Sequence, residues 1–193
     1  MRKLFFVLAA AVLLVTGCDG RWSAGERRII ASDADTLHVY TLDDAEETAV
    51  LRSISAGVSP RMVRSREYKT LAAKMIATVT LLSRDGVGIA APQVGVLRRI
   101  VAVQRFDKPG EPFEVYPDIR ITAFHGELVP GPEGCLSVPG WRGEVNRWQD
   151  IEISYCSPAT LRDTTERVTG FTAVIFQHEC DHLDGILYID KLH

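Results

Sequence analysis

The stretch Gln177-His178-Glu179-Cys180-Asp181-His182 decides how the rest of this chain is read. It sits inside an apolar run, Phe171 to Leu183, whose spacing predicts a helix closed by Gly185 as a left-handed cap. Residues four apart share one helical face, so His178 and His182 offer two imidazoles to one metal ion. Glu179, next to the first of them, has a carboxylate within reach of a water on that ion. Eleven residues follow His182, with Tyr188 where the commonest extension of this motif would carry a further histidine. A third ligand must therefore come from upstream. Glu133-Gly134-Cys135-Leu136-Ser137 offers the Cys135 thiolate, and a Cys-His-His set leaves one tetrahedral position for solvent, as catalytic sites require.

Outward from that helix, Leu71, Met75, Ile76, Val79 and Leu82 recur at steps of three and four and predict a second helix over 65–82. Ile100, Val101 and Val103 predict a strand over 99–104. Ile151, Ile153 and Tyr155 alternate with polar residues, with Cys156 on the polar side. Ser157-Pro158 breaks that strand, and 162–169 returns as its partner. The expected class is α+β: mostly antiparallel sheets packed around a C-terminal helix carrying HExxH, with an N-terminal helix. Gly86-Val87-Gly88-Ile89-Ala90-Ala91-Pro92-Gln93 is rich in small residues that let a ligand or another backbone come close, yet lacks the Lys and Ser/Thr of a phosphate loop.

With 193 residues, 46% hydrophobic and 24% charged, the chain suits one packed domain. A formal charge of −3 without a basic stripe argues against nucleic acid as a partner. Four scattered cysteines, Cys18, Cys135, Cys156 and Cys180, do not frame a disulfide-held fold. Arg2 and Lys3 precede fourteen uncharged residues, Leu4 to Gly17, and then Cys18. As a helix this run would cover about 20 Å, short of a hydrocarbon core of about 30 Å, so it reads as a signal peptide over 1–17 rather than a span. Val15-Thr16-Gly17-Cys18 resembles a bacterial lipobox, which makes Cys18 the acylated residue. Polar residues 18–37 are expected to be the lipidated cysteine and a tether, and 38–193 the domain. An acidic chain gains nothing from an anionic bilayer, so the lipid must do the holding.

Taken together, Gly86 to Gln93, Glu133 to Ser137 and Gln177 to His182 carry the three motifs of the peptide deformylase family, in its order, and the chain resembles that family from Val50-Leu51-Arg52 to its end. The resemblance implies removal of formate from N-formylmethionyl peptides. Cys135, His178 and His182 would hold one divalent metal ion, Fe²⁺, with Zn²⁺, Ni²⁺ or Co²⁺ as substitutes. Glu179 would be the general base, with Gln93 and the Leu136 backbone N–H on the oxyanion. Val87, Glu133, Phe171, Val174 and Ile175 would line the methionine pocket, and the backbones of Gly88 and Gly134 would pair with the peptide. The protein is expected to be a monomer. Family members work in the cytoplasm or an organelle, whereas the leader here points to an exported, membrane-tethered form. Two other functions fit the residues: a metallopeptidase or amidase on other small amides, and a catalytically silent metal- or peptide-binding lipoprotein.

Overall fold

Ile100-Val101-Ala102-Val103 is the run around which the layers assemble, because both of its faces are buried. The computed structural model describes residues 20–82 and 86–192. In β2 (Ile100–Gln104), Ile100 and Ala102 enter one apolar cluster while Val101 and Val103 enter another. That division follows from the two-residue alternation of a strand. Strands β1 (Gly88–Ala90) and β3 (Phe113–Pro117) flank it, both antiparallel. On one side lies α4 (Arg66–Leu82), which buries Tyr68, Leu71, Met75 and Val79 at steps of three and four. On the other lie α5 (Gly170–Leu183) and a second antiparallel sheet of β4 (Arg120–Cys135), β5 (Val138–Cys156) and β6 (Asp163–Thr169).

Because α5 is covered nearly all round, its polar side chains need internal partners. Gln177 supplies one set: its amide donates to Trp148 O at 2.6 Å and accepts from Trp148 N at 3.0 Å, clamping the helix to β5. Gly185, at φ +71, ends the helix as expected, and Ile186 N donates back to Asp181 O at 3.0 Å. A Cβ on Gly185 would meet Arg52 O at 2.5 Å. The Val50-Leu51-Arg52 motif thus buttresses this turn, with Leu51 buried at the end of α2 (Ala45–Leu51) and Arg52 paired to Asp190.

Two expectations are corrected. Cys156 is buried among the helix-side cluster, because the end of β5 is covered on both faces. The tether expected over 18–37 is folded in its described part. Trp22 is buried and donates from Nε1 to Ser65 Oγ at 2.9 Å. It is followed by α1 (Ala24–Ile30), and Ile30 and Leu37 enter the core. Glu26, buried, meets Arg98 Nε at 2.6 Å. The described fold therefore includes residues 21–37. The signal peptide over 1–17 and the lipidated Cys18 lie outside the described residues.

Arg105 joins the two sheets beneath α5. Its guanidinium, 1% exposed, meets Asp107 at 2.8 and 2.6 Å and Glu166 of β6 at 2.6 Å, and also contacts the Tyr116 hydroxyl. Tyr116 stands edge-on to Phe176 of α5, centroids 4.9 Å apart. Breaking a buried pair on one side costs about 3–5 kcal/mol, so Arg105→Ala should lower unfolding free energy by about that much in urea melts. The Arg105 hydrogen bond holds Asp107 below its usual 3.8 against the opposing effect of burial. A depressed carboxylate stabilises above its unfolded value and loses that contribution as pH falls through the folded one. The gap between wild type and variant should therefore narrow below about pH 4. An equal gap at pH 7 and pH 3 would contradict this assignment.

Candidate metal centre

A tight connection and a helix bring three ligand atoms together. Cys135 ends β4, where the register shifts between Gly134 and Cys135 before Cys135 pairs with Val138 across the Leu136-Ser137 turn. That turn aims the thiol at α5, one turn of which separates His178 from His182. The Cys135, His178 and His182 donors all lie within 4.8 Å of one another, and Cys135 Sγ stands 3.2 Å from His182 Nε2. In a tetrahedral site, sulfur and nitrogen ligands of one ion sit about 3.6 Å apart, close to this spacing.

The ring nitrogens sort themselves by their partners. His178 Nδ1 faces Glu133 Oε2 at 2.7 Å, which leaves Nε2 for the ion. Glu133 is in turn held by Arg147 at 2.6 and 3.0 Å. Burial would raise Glu133, but hydrogen bonds from His178 and Arg147 outweigh it and bring it down to about 2. His182 is 1% exposed, and burial together with the His178 charge holds it well below its ordinary value, as neutral imidazole. Its Nδ1 has no partner among the described residues. Two imidazoles and a thiol, half-buried or buried, with their donor atoms converging, fit a divalent cation such as Fe²⁺ or Zn²⁺.

Glu179 is 4% exposed, its Oε2 has no hydrogen-bond partner among the described residues, and burial pushes it up to about 7. It packs against the backbone of Gly88, where a Cβ would lie 2.5 Å from Oε1. Gln93, in the 3₁₀ turn Ala91–Val94, accepts from Ala90 N at 2.8 Å. Its amide nitrogen sits 3.4 Å from Cys135 Sγ and 3.2 Å from Ser137 Oγ. The centre opens into a cleft of about 630 Å³.

The cleft lining includes Val87, Gly88, Gln93, Glu133, Gly134, Cys135, Leu136, Phe171, Val174, Ile175, His178 and Glu179, so the three distant motifs do share one wall. His182 lies beneath it. Glu133, expected in the methionine pocket, does reach the lining, but its carboxylate is committed to His178 and Arg147. Asp181 accepts from Arg147 at 2.5 Å and from Lys191 at 2.6 Å. Sequence reasoning did not find the rim formed by Pro139, Trp141 and Arg142, where Trp141 is 69% exposed. A large aromatic two residues after a Pro in the turn strand was the available signal.

A model of the polypeptide deformylase family matches residues 37–193. A peptide deformylase of Leptospira biflexa is 39% identical over 151 residues, covering 74% of this chain and 82% of that protein. One from Roseiflexus castenholzii is 33% identical over 167 residues, covering 80% and 88%. Among solved structures, the class I type b peptide deformylase of Acinetobacter baumannii with Met-Ala-Ser bound aligns at TM-score 0.70 and 36% identity, over 81% of this chain and 98% of that one. The Thermotoga maritima peptide deformylase aligns at TM-score 0.70 and 30% identity, over 82% and 98%.

Proposed function

The chain belongs to the peptide deformylase family, metal-dependent hydrolases that remove N-formyl groups, and from that premise we propose how its own residues divide the work. The observation that carries the proposal is a buried, unpartnered Glu179 carboxylate beside three converging metal donors on the floor of a peptide-sized cleft. Cys135 Sγ, His178 Nε2 and His182 Nε2 would hold Fe²⁺, or Zn²⁺, Ni²⁺ or Co²⁺ in its place. Bound there, a divalent ion supplies Lewis acidity, bringing the pKa of water from about 16 towards 7 and polarising a carbonyl oxygen.

Glu133 fixes the His178 ring through Nδ1, so that Nε2 keeps its aim. Glu179 takes the proton of the attacking water as it adds to the formyl carbon, and then gives it to the departing α-amine. Charge that develops on the formyl oxygen is met by the Gln93 amide N–H and the Leu136 backbone N–H. Donors of this kind are each worth about 2.7–4 kcal/mol in the transition state. Accepting from Ala90 N through its oxygen orients the Gln93 amide so that its N–H groups face Cys135 and Ser137, beside the metal donors. Val87, Phe171, Val174 and Ile175 give the methionine side chain an apolar bed, and the backbones of Gly88 and Gly134 pair with the peptide. The Acinetobacter relative was solved with Met-Ala-Ser bound, which supports a short methionyl peptide as the occupant here.

The test is hydrolysis of formyl-Met-Ala-Ser by protein loaded anaerobically with Fe²⁺, with unformylated Met-Ala-Ser beside it. Formate release from the first and no cleavage of the second is expected. Peptide-bond cleavage without formate would favour a metallopeptidase instead.

The same proposal places the enzyme at a membrane. Val15-Thr16-Gly17-Cys18 supports acylation at Cys18, and no helix among the described residues is long and apolar enough to cross a bilayer. Labelled palmitate should enter the wild-type chain in a lipidating bacterial host and not Cys18→Ala. Identical labelling and fractionation of the two would return the protein to the cytoplasm.

A further inference from the structure

Charge on this protein is segregated in a way its sequence order hides. Arg21, Arg27 and Arg28 lie in and just before α1. Arg61 and Arg64 lie in and just after α3 (Pro60–Val63), and Arg66 and Lys69 in the first turn of α4. All seven side chains are exposed. The fold makes these segments neighbours. Trp22 Nε1 bonds Ser65 Oγ at 2.9 Å, Arg27 lies 3.5 Å from Glu67, and a Cβ on Gly20 would meet Ser59 Oγ at 3.1 Å. Within the two segments the acids are Glu26 and Glu67. The first is buried against Arg98 and the second is engaged by Arg27. A chain of net charge −3 thus gathers seven exposed basic side chains on adjoining segments, with the exposed Asp33 and Asp35 following α1.

Two further features say what meets that face. The described chain enters at Gly20 beside Ser59, within the patch, and Cys18, the residue proposed to be acylated, stands only two positions before it. A lipid on Cys18 and a cationic surface joined by so few residues meet the same bilayer, an argument that rests on the acylation proposed above. The cleft lies elsewhere: α4 is seventeen residues long, about 25 Å, and the glycine segment lining the cleft follows its far end. A surface that covers the patch leaves the metal centre open.

We propose that the face built by α1, α3 and the first turn of α4 docks on anionic phospholipid headgroups. This docking draws on local charge in place of the net charge from which an acidic chain is expected to gain nothing at a bilayer. The docking does not depend on acylation of Cys18, since the patch is complete without it. Each basic side chain near an anionic bilayer strengthens partitioning about five-fold, and the effect decays within a Debye length.

The test is co-sedimentation of the full chain, made without acylation, with phosphatidylcholine vesicles and with the same vesicles containing phosphatidylglycerol. The apolar leader contributes to both, so the ratio between them reads the patch. Wild type should prefer the anionic vesicles by about a hundred-fold at low salt and lose the preference at high salt. Arg28→Glu/Arg61→Glu/Arg64→Glu should abolish the preference while hydrolysing formyl-Met-Ala-Ser in vesicle-free solution at the wild-type rate, which checks that it folds. Equal binding of wild type to both vesicles would overturn the proposal, as would a preference that survives in the active triple variant. Displacement from anionic vesicles by an RNA oligonucleotide at matched charge would assign the face to nucleic acid instead.

Discussion

Glu179→Gln is expected to lower kcat/KM for formyl-Met-Ala-Ser by about a thousand-fold while leaving metal content unchanged. The side chains are nearly the same size, so the cleft wall beside Gly88 is preserved and only proton transfer is lost. Glu179 suits that transfer because nothing else uses it. Among the described residues its buried Oε2 has no hydrogen-bond partner. Glu133 makes the contrast: equally buried, it is clasped by Arg147 and His178 and held down to about 2, a carboxylate built to orient and not to exchange protons. Glu133 and Glu179 therefore divide two tasks between chemically similar groups by what surrounds each. A loss under ten-fold in Glu179→Gln with metal retained would mean that some other group moves the proton.

Gly88→Ala is expected to reduce kcat by about a hundred-fold, again with the metal retained. The added methyl would lie 2.5 Å from Glu179 Oε1 and 2.9 Å from its Cδ, and β1 cannot yield easily because Gly88 is paired to Val103 of β2. The carboxylate must rotate away from the attacking water. Gly131→Ala is the matched control. It sits in the long β4–β5 hairpin, where a Cβ meets nothing within 4 Å, and it should retain activity and stability. Kinetics and metal analysis on the two variants separate displacement of the base from general damage to the sheets.

Much of the centre was legible in the sequence because its donors are held by local rules. The four-residue spacing of His178 and His182 is helix geometry, and the α5 and α4 boundaries were visible in apolar periodicity. Cys135 required elimination, and the resemblance then supplied the rest of the site. What escaped were features made by distant contacts. The long strand β4 contains Gly126, Pro130, Gly131 and Pro132 and exposes most of its length, so neither alternation nor propensity marks it; its pairing with β5 does. Residues 21–30 look like a tether because the burial of Glu26 depends on Arg98, far along the chain. One local signal was present: Ser23-Ala24-Gly25-Glu26 is a capping box, with Glu26 N bonding Ser23 Oγ at 3.1 Å and Ser23 N bonding Glu26 Oε2 at 2.6 Å. The cationic face was hidden for the same reason, since composition averages over charges that folding sorts.

Anomalous diffraction at the iron edge from crystals of protein loaded anaerobically with Fe²⁺ addresses the central claim most directly. One peak is expected within bonding distance of Cys135 Sγ, His178 Nε2 and His182 Nε2, with solvent as its remaining ligand and Glu179 alongside without coordinating. A peak that leaves out Cys135, or a fourth protein side chain in the solvent position, would contradict the account.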